Sequence, residues 1–181
     1  PMVPMGFLGP NEPHGPQKVY GLIFCWPDYV GSAGLFRTPF HYAGSKSQKE
    51  KYLSKIATNE YRFGVGFSEF IGKRNDAGIT FSDKVLNGRA MFALDANDAT
   101  HLLLANEKGQ IFVVDAKSAN IETIKLTTVD KTRQYSEVIC ENLEAELLEN
   151  SSNSTNPINK AIDAGRIMLA ADSLGASQTM L

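Results

Sequence analysis

The chain has 181 residues, of which 43% are hydrophobic and 21% are charged, a composition typical of a globular protein with one or two domains. Its formal net charge of -2 argues against a nucleic-acid partner, because phosphate binding needs a basic face. No apolar run approaches the roughly 20 residues that a membrane-spanning helix requires.

Cysteine, histidine and the first residues of the chain bear on where the protein works. Cys25 and Cys140 lie in apolar surroundings, which favours two buried free thiols in a reducing compartment over a disulfide, although a disulfide stays open. The three histidines are not at the spacings of metal ligands, so the sequence predicts no metal site. Residues 1–16 lack the basic region and the continuous apolar core of a signal peptide. We therefore expect a cytoplasmic protein.

Helices are predicted in the first third of the chain. Residues 16–36 mix bulky apolar side chains with glycine and proline, which predicts one or two short helices. Residues 45–57 predict an amphipathic helix that Ser45 or Ser47 caps at its N-terminus. The apolar face of this helix consists of Tyr52, Leu53, Ile56 and Ala57.

A block of short strands is predicted next, and its first member is residues 62–67. Phe63, Val65 and Phe67 lie on one side of that segment, which indicates a half-buried strand. A hydroxyl and a carboxylate, those of Ser68 and Glu69, follow at its end. Further candidate strands are residues 78–81, 89–94, 101–105, 110–115, 121–126 and 135–143.

Turn chemistry and the lack of a helical period in this block decide the fold class. Residues 86–88 (Leu-Asn-Gly) and 107–109 (Glu-Lys-Gly) suit tight hairpins. No helical pattern separates the candidate strands, which favours an antiparallel barrel or sandwich over a parallel sheet. The sequence therefore predicts an α+β protein in which an antiparallel β-barrel middle domain is flanked by helices.

The last part of the chain predicts a linker and a long helix. Residues 149–159 are polar and low in complexity, and Pro157 suits the start of a helix. Two glycosylation patterns fall in this linker, at Asn150 and Asn153, but nothing else in the sequence supports secretion. The predicted helix has a broad apolar face that continues to the last residue, so we expect an oligomer or a partner helical domain. The face consists of Ile158, Ala161, Ile162, Gly165, Leu169, Leu174 and Leu181.

The order and spacing of these segments resemble the acyl-CoA dehydrogenase family. The resemblance covers about residues 41–181. It is carried by the helix and turn of residues 47–60, by the strand of residues 63–69 with Ala77, Gly78 and Ile79 after it, by Asn87, Gly88, Met91 and Phe92, and by the helical residues 163–174.

The family implies an architecture and a reaction. Its members have an N-terminal helical domain, a middle β-barrel and a C-terminal helical bundle, with FAD between the last two. On that pattern residues 1–58 are a remnant of the first domain, residues 59–150 are the middle domain, and residues 151–181 are a linker and the first helix of the third. The reaction is α,β-dehydrogenation of an acyl-CoA or acyl-carrier thioester. The family's catalytic base lies in a part of the bundle beyond residue 181, so no catalytic residue is nominated here.

The resemblance implies cofactor contacts at Val65, Phe67, Ser68, Phe92 and Leu94. Ser68 stands where the family usually has threonine, and it keeps a hydroxyl that could bond the pyrimidine edge of the flavin. Phe92 keeps a ring that could pack beside the isoalloxazine. Leu94 replaces a threonine and offers no hydrogen-bond donor, which would leave one polar flavin edge unpaired.

The resemblance also implies substrate contacts, at Arg74, Asp163 and Arg166. Arg74 and its neighbour Lys73 replace a small Gly-Ser pair, and their charges could meet CoA or FAD phosphates or simply lie on a solvated turn. Asp163 and Arg166 match positions that contact the acyl-CoA in many relatives, but they also suit an i,i+3 helix salt bridge.

Three hypotheses therefore stand. The chain is part of an FAD-dependent acyl-CoA dehydrogenase, a non-catalytic relative that serves as a structural or interaction module, or an unrelated β-barrel binding domain flanked by helices.

Overall fold

The computed structural model describes residues 32–72, 77–129, 131, 133–152 and 154–180. The predicted order of helices, strands and helix is confirmed. The elements are helices α1 (Ser32–Ala43), α2 (Lys46–Ala57), α3 (Ser68–Ile71) and α4 (Asn156–Met180), a 3₁₀ turn (Glu149–Ser151), and strands β1 (Phe63–Gly66), β2 (Gly78–Ser82), β3 (Val85–Leu94), β4 (His101–Ala105), β5 (Ile111–Asp115), β6 (Ile121–Lys125), β7 (Tyr135–Glu144) and β8 (Glu146–Leu147).

All eight strands belong to one sheet, in the order β6-β7-β3-β1-β4-β5-β8, and β2 pairs with β3. Every pairing is antiparallel except that between β1 and β4, which is parallel. The predicted α+β class is therefore confirmed. Within the described residues no strand pairing joins β6 to β8, so closure of the sheet into a barrel stays a prediction.

Strands β4 and β5 are buried on both faces, because their alternate residues enter two different cores. The first, here called the helix-side core, joins one face of the sheet to α1, α2 and the start of α4, and includes Phe40, Tyr52, Phe63, Val65, Phe67, Leu103, Ile111, Val113 and Ile158. The second, the sheet-side core, combines the other alternate residues of β4 and β5 with residues of β2, β3 and β7 from the same sheet. It includes Ile79, Leu86, Ala90, Ala93, Leu102, Leu104, Phe112, Val114, Val138 and Cys140.

Strand β1 lies between the two cores because every second residue in it is glycine. A Cβ atom on Gly64 would lie 2.8 Å from Leu102 Cδ2 and 2.9 Å from Ala96 Cα. A Cβ atom on Gly66 would lie 3.0 Å from Leu104 Cδ2. The prediction of a half-buried strand was therefore wrong for the second face, where burial is achieved without any apolar side chain.

Helix α2 begins at a capping box, which settles the choice between the two candidate serines. Ser45 Oγ accepts a hydrogen bond from the Gln48 amide (3.4 Å), and Gln48 Oε1 accepts one from the Ser45 amide (3.0 Å). Tyr52 is buried on the predicted apolar face. Ala57 was wrongly assigned to that face, because it is the last residue of the helix, before the C-cap Thr58, and its side chain is exposed.

A polar cluster around Glu146 attaches α2 to β8. Glu146 Oε1 accepts a hydrogen bond from Gln48 Nε2 (2.8 Å), while Oε2 accepts from Lys51 Nζ and from the Tyr52 hydroxyl, each at 2.7 Å. Gln48 Nε2 also donates to Leu147 O at 3.0 Å. Burial alone would raise the pKa of Glu146, but the three hydrogen bonds hold that pKa below its usual value.

One of the two predicted hairpin turns was misplaced. The β2–β3 turn lies at Asp83 and Lys84, whose φ angles of 50° and 67° suit a two-residue hairpin turn. Asn87 and Gly88 instead lie inside β3, where Gly88 has a φ of 120° and the register with β7 shifts. The other turn is confirmed, since residues 106–110 connect the paired strands β4 and β5 and include Gly109 (φ 78°).

Helix α4 begins with Pro157 in its first turn, as predicted, and only Pro157, Ile158 and Ala161 of the helix are buried. Of the rest of the predicted apolar face, Ile162 packs against the helix-side core, Gly165 is part-buried, Leu169 and Leu174 are exposed, and Leu181 lies outside the described residues. Among these residues, no helix has both the length and the apolarity to cross a bilayer. The large apolar side chains that α4 exposes are Ile167, Leu169, Leu174 and Met180.

We expect Gly64→Ala to destabilise the fold, because the added Cβ would meet backbone and side-chain atoms of the sheet-side core at less than 3 Å. Such overpacking costs about 1–3 kcal/mol of the free energy of unfolding. Gly72→Ala is the matched control, since no atom lies within 4 Å of the position that its added Cβ would take. Urea unfolding of both variants checks this expectation, and equal stability would contradict the close packing of β1.

We expect the contribution of Glu146 to depend on pH. A carboxyl with a lowered folded pKa stabilises the fold above its unfolded pKa, here 4.5, and this contribution disappears as the pH falls through the folded value. Glu146→Gln should therefore lower the free energy of unfolding at about pH 7 and differ less from the wild type at about pH 3. Denaturant unfolding at both pH values measures this. A difference that is the same at both would rule out a role for the carboxylate charge.

Candidate functional site

Strand β1 delivers two polar side chains to one end of the sheet, where α3 begins. The predicted contacts Val65 and Phe67 are 4% and 5% exposed, because their side chains belong to the helix-side core. Ser68 and Glu69 follow directly and form the first turn of α3. The side chains available at this end of β1 are therefore polar.

Ser68 and Glu69 both bond the backbone of Met91 in β3. The Ser68 hydroxyl donates to Met91 O, and Glu69 Oε1 accepts from the Met91 amide at 3.0 Å. Glu69 is only 3% exposed, so water has little access to this contact. The structure thus pairs the predicted site residue Ser68 with Glu69 and Met91, which were not among the predicted site residues.

Met91 and Phe92 form a β-bulge in β3. Ala90 pairs with Val138 and Ala93 pairs with Ser136, so two residues of β3 lie opposite one residue of β7. Phe92 adopts a φ of 56°, which is uncommon for a residue with a bulky side chain, and it is 45% exposed. Bulges of this kind are over-represented beside active sites, where they redirect a side chain.

The bulge, the hydroxyl and the ring together suit one side of a planar heterocycle. Phe92 is 45% exposed, and aromatic side chains pack favourably against fused ring systems. The Ser68 hydroxyl hydrogen is used by Met91 O, which leaves the oxygen lone pairs to accept a bond from a ligand N–H group. The residues present therefore fit the ring and the donor group of a flavin.

Leu94, the remaining predicted cofactor contact, is a ladder residue rather than a polar contact. It pairs with Val65 of β1 and with Tyr135 of β7. Its side chain is half-buried and has no polar atom. It can offer a flavin only an apolar contact.

Glu69 also contributes to the wall of a small pocket of about 160 Å³. Glu69 Oε2 is buried and has no hydrogen-bond partner in the described part of the chain. The pocket is lined by Glu69, Glu107 and residues 77–80. The two oxygens of Glu69 therefore have different surroundings: Oε1 is bonded to the bulge, and Oε2 is buried without a partner among the described residues.

The predicted substrate contacts are not brought to this site by any described contact. Arg74 and Lys73 lie outside the described residues. Asp163 and Arg166 lie on α4, where Arg166 Nη1 and Asp163 Oδ1 are 3.1 Å apart. Both side chains are more than half exposed, so the salt bridge considered from the sequence does form at the surface. A role in substrate binding stays a prediction.

Cys140 is buried in the sheet-side core as a free thiol, as predicted, and Cys25 lies outside the described residues. Burial raises the pKa of the Cys140 thiol to about 12. A thiol with so high a pKa is not a nucleophile near neutral pH. Cys140 therefore has a packing role.

Comparison with known proteins gives matches only among solved structures: no family model and no curated protein matches the sequence. The butyryl-CoA dehydrogenase of Megasphaera elsdenii is 19% identical, with a TM-score of 0.67 over 80% of this chain and 43% of its own. An acyl-CoA dehydrogenase of Geobacillus kaustophilus is 16% identical, with a TM-score of 0.66 over 78% and 43%. A glutaryl-CoA dehydrogenase of Mycobacterium smegmatis, solved in complex with FADH2, is 17% identical, with a TM-score of 0.65 over 79% and 40%.

These matches confirm at the level of fold the resemblance that the sequence predicted. Most of the chain has the fold of a part of the acyl-CoA dehydrogenases. The chain spans about two fifths of the length of these structures. Because all three identities are below 20%, the likeness establishes the fold alone.

We expect the pair of Asp163 and Arg166 to contribute little to stability. An exposed i,i+3 ion pair on a helix is worth roughly 0.2–0.5 kcal/mol. Asp163→Asn and Arg166→Gln should each lower the free energy of unfolding by no more than about 0.5 kcal/mol, and a double-mutant cycle measures their coupling. A coupling energy above about 1 kcal/mol would contradict the surface placement of the pair.

Proposed function

We propose that the chain supplies one wall of a flavin site in an acyl-CoA dehydrogenase-like protein that dehydrogenates an acyl thioester with FAD. The observation that carries this proposal is the β-bulge, in which Ser68 bonds the Met91 carbonyl and the next residue, Phe92, has a φ of 56° and is 45% exposed. The bulge belongs to a fold shared with acyl-CoA dehydrogenases, one of them solved with FADH2. When bound, FAD supplies the acceptor for the hydride that leaves the substrate.

The residues of the chain would bind and orient this cofactor. Phe92 packs against the ring system, and the Ser68 oxygen accepts from its N–H group. Val65 and Phe67 contribute through the backbone, because their side chains are buried in the helix-side core. Leu94 excludes water from one edge but gives it no hydrogen bond, which weakens binding relative to a site with a donor there.

The remaining residues named from the sequence would contact the thioester. Arg74 suits a phosphate of CoA or of FAD, since guanidinium groups bind phosphates in a bidentate manner. Asp163 and Arg166 would contact the acyl-CoA or acyl-carrier thioester, and opening their exposed ion pair for this purpose costs little.

The assembly rests on apolar side chains that α4 exposes. Ile167, Leu169 and Leu174 suit packing against further helices, in a homo-oligomer or in a partner helical domain. We propose the same division as the family, with residues 1–58 as a helical remnant, residues 59–150 as the middle domain, and residues 151–181 as the linker and first helix of a third domain.

A second candidate is a non-catalytic relative that serves as a structural or protein-interaction module. Two observations favour it. The Ser68 hydroxyl hydrogen is already used within the chain, and Leu94 brings no donor to the position where a flavin edge would need one.

We expect titration with FAD to separate the two candidates. Stoichiometric binding, seen as quenching of flavin fluorescence, supports the flavin site, and no binding at saturating FAD supports the second candidate. Phe92→Ala should weaken binding roughly tenfold, because an aromatic contact contributes about 0.5–1.5 kcal/mol beyond its buried area. Phe92→Tyr should retain most of the affinity.

Ile124→Ala, at an exposed apolar residue of the edge strand β6, serves as the matched control. It should bind FAD as the wild type does. Equal affinity of Phe92→Ala and the wild type would contradict the placement of the flavin against this ring.

A further inference from the structure

We propose that Glu69, together with Ser68, is a positioning residue that holds the β3 bulge so that Phe92 faces outward. The consequence for cofactor binding rests on the flavin site proposed above. The positioning itself is a property of the chain and can be tested without any cofactor.

The two side chains take the place of a missing strand. The pairing of β2 with β3 ends at Arg89, and the pairing of β1 with β3 is at Leu94. Met91 lies between these points, where no strand of the described chain flanks β3 on that side. Its N–H and C=O groups are bonded instead by Glu69 Oε1 and Ser68 Oγ. Side chains of α3 thus satisfy the backbone groups of Met91 that a neighbouring strand would otherwise bond.

These two bonds anchor the peptide unit from which Phe92 leaves β3. The carbonyl of Met91 and the amide nitrogen of Phe92 belong to one planar peptide unit. Ser68 fixes that plane from the oxygen side, and Glu69 fixes the preceding plane through the Met91 amide. The left-handed backbone of Phe92 carries a conformational cost and persists only where its surroundings impose it.

The burial of Glu69 indicates a role beyond stability. Its Oε2 atom is buried without a hydrogen-bond partner among the described residues, an arrangement that reduces the stability of a fold. The bond that the same carboxylate makes to the Met91 amide is charge-assisted, and such bonds are stronger than those to neutral groups. A glutamate whose Oε2 atom lowers stability in this way fits the role of holding the bulge through its Oε1 atom.

The test uses variants at position 69 that separate the acceptor from the volume. Glu69→Met fills the buried space and removes the acceptor, whereas Glu69→Gln retains an acceptor for the Met91 amide without the charge. Ser68→Ala removes the second contact, and it replaces Glu69→Met if that variant does not fold. Glu122→Ala, at an exposed position of β6, is the control.

Three properties are measured for each variant: the hydrogen-exchange rate of the Met91 amide relative to that of Leu103, the NMR chemical shifts of Phe92 that report its backbone conformation, and the affinity for FAD. Glu69→Met should raise the relative exchange rate at Met91 about tenfold or more, since a bond to a charged group is lost. The Phe92 shifts should leave their left-handed values, and FAD affinity should fall about tenfold. Glu69→Gln should restore most of all three.

Two results would overturn the proposal. The first is unchanged exchange at Met91 in Glu69→Met, whatever the affinity for FAD. The second is faster exchange with unchanged Phe92 shifts, since the contact would then exist without setting the ring. If the wild type binds no FAD, the flavin site is wrong, and the exchange rates and the Phe92 shifts still decide the positioning role.

Discussion

The close approach of β1 to the sheet-side core is the constraint on which the rest of the structure depends. Gly64 and Gly66 let the strand lie against Leu102 and Leu104, while Phe63 and Val65 fill the helix-side core. A strand with side chains on both faces could not come this close. In this position β1 pairs with β4 on one side, in parallel, and with β3 on the other, in antiparallel orientation.

The site is a consequence of where β1 ends. Its last residues lead into α3 beside the stretch of β3 that no other described strand flanks on that side. Ser68 and Glu69 then bond Met91, and the bulge exposes Phe92. The close packing of β1 therefore places the residues that bond Met91, and this packing depends on Gly64 and Gly66. A flavin would bind to a bulge that Ser68 and Glu69 already hold in place.

Periodicity predicted most of the elements, because local patterns decide them. The limits of β4 are those expected. The limits of α2, β2, β5, β6 and β7 differ by one residue at one end, and those of β1 differ by one residue at each end. Asn87 and Gly88 were misread, because the residues that suit a tight turn also suit a bulge inside a strand. The second buried face of β1 left no apolar pattern, since glycines occupy it.

The site was less accessible to sequence reasoning than the fold. Ser68 and Phe92 could be named from a family resemblance. The bonds to Met91, the residue before Phe92, could not, because Met91 is 22 residues from Glu69 in the sequence. A carboxylate three residues after the end of a buried strand was the available signal. The parallel pairing of β1 with β4 is also a property of the assembled sheet that no local pattern encodes. Long-range contacts of this kind decided which of the named residues meet.

A crystal structure of the chain grown with FAD tests the central claim most directly. We predict that the isoalloxazine lies against the Phe92 ring, with the Ser68 oxygen about 3 Å from the flavin N–H group and Met91 still bonded to Ser68 and Glu69. Crystals without flavin, or a flavin bound away from the bulge, would contradict it.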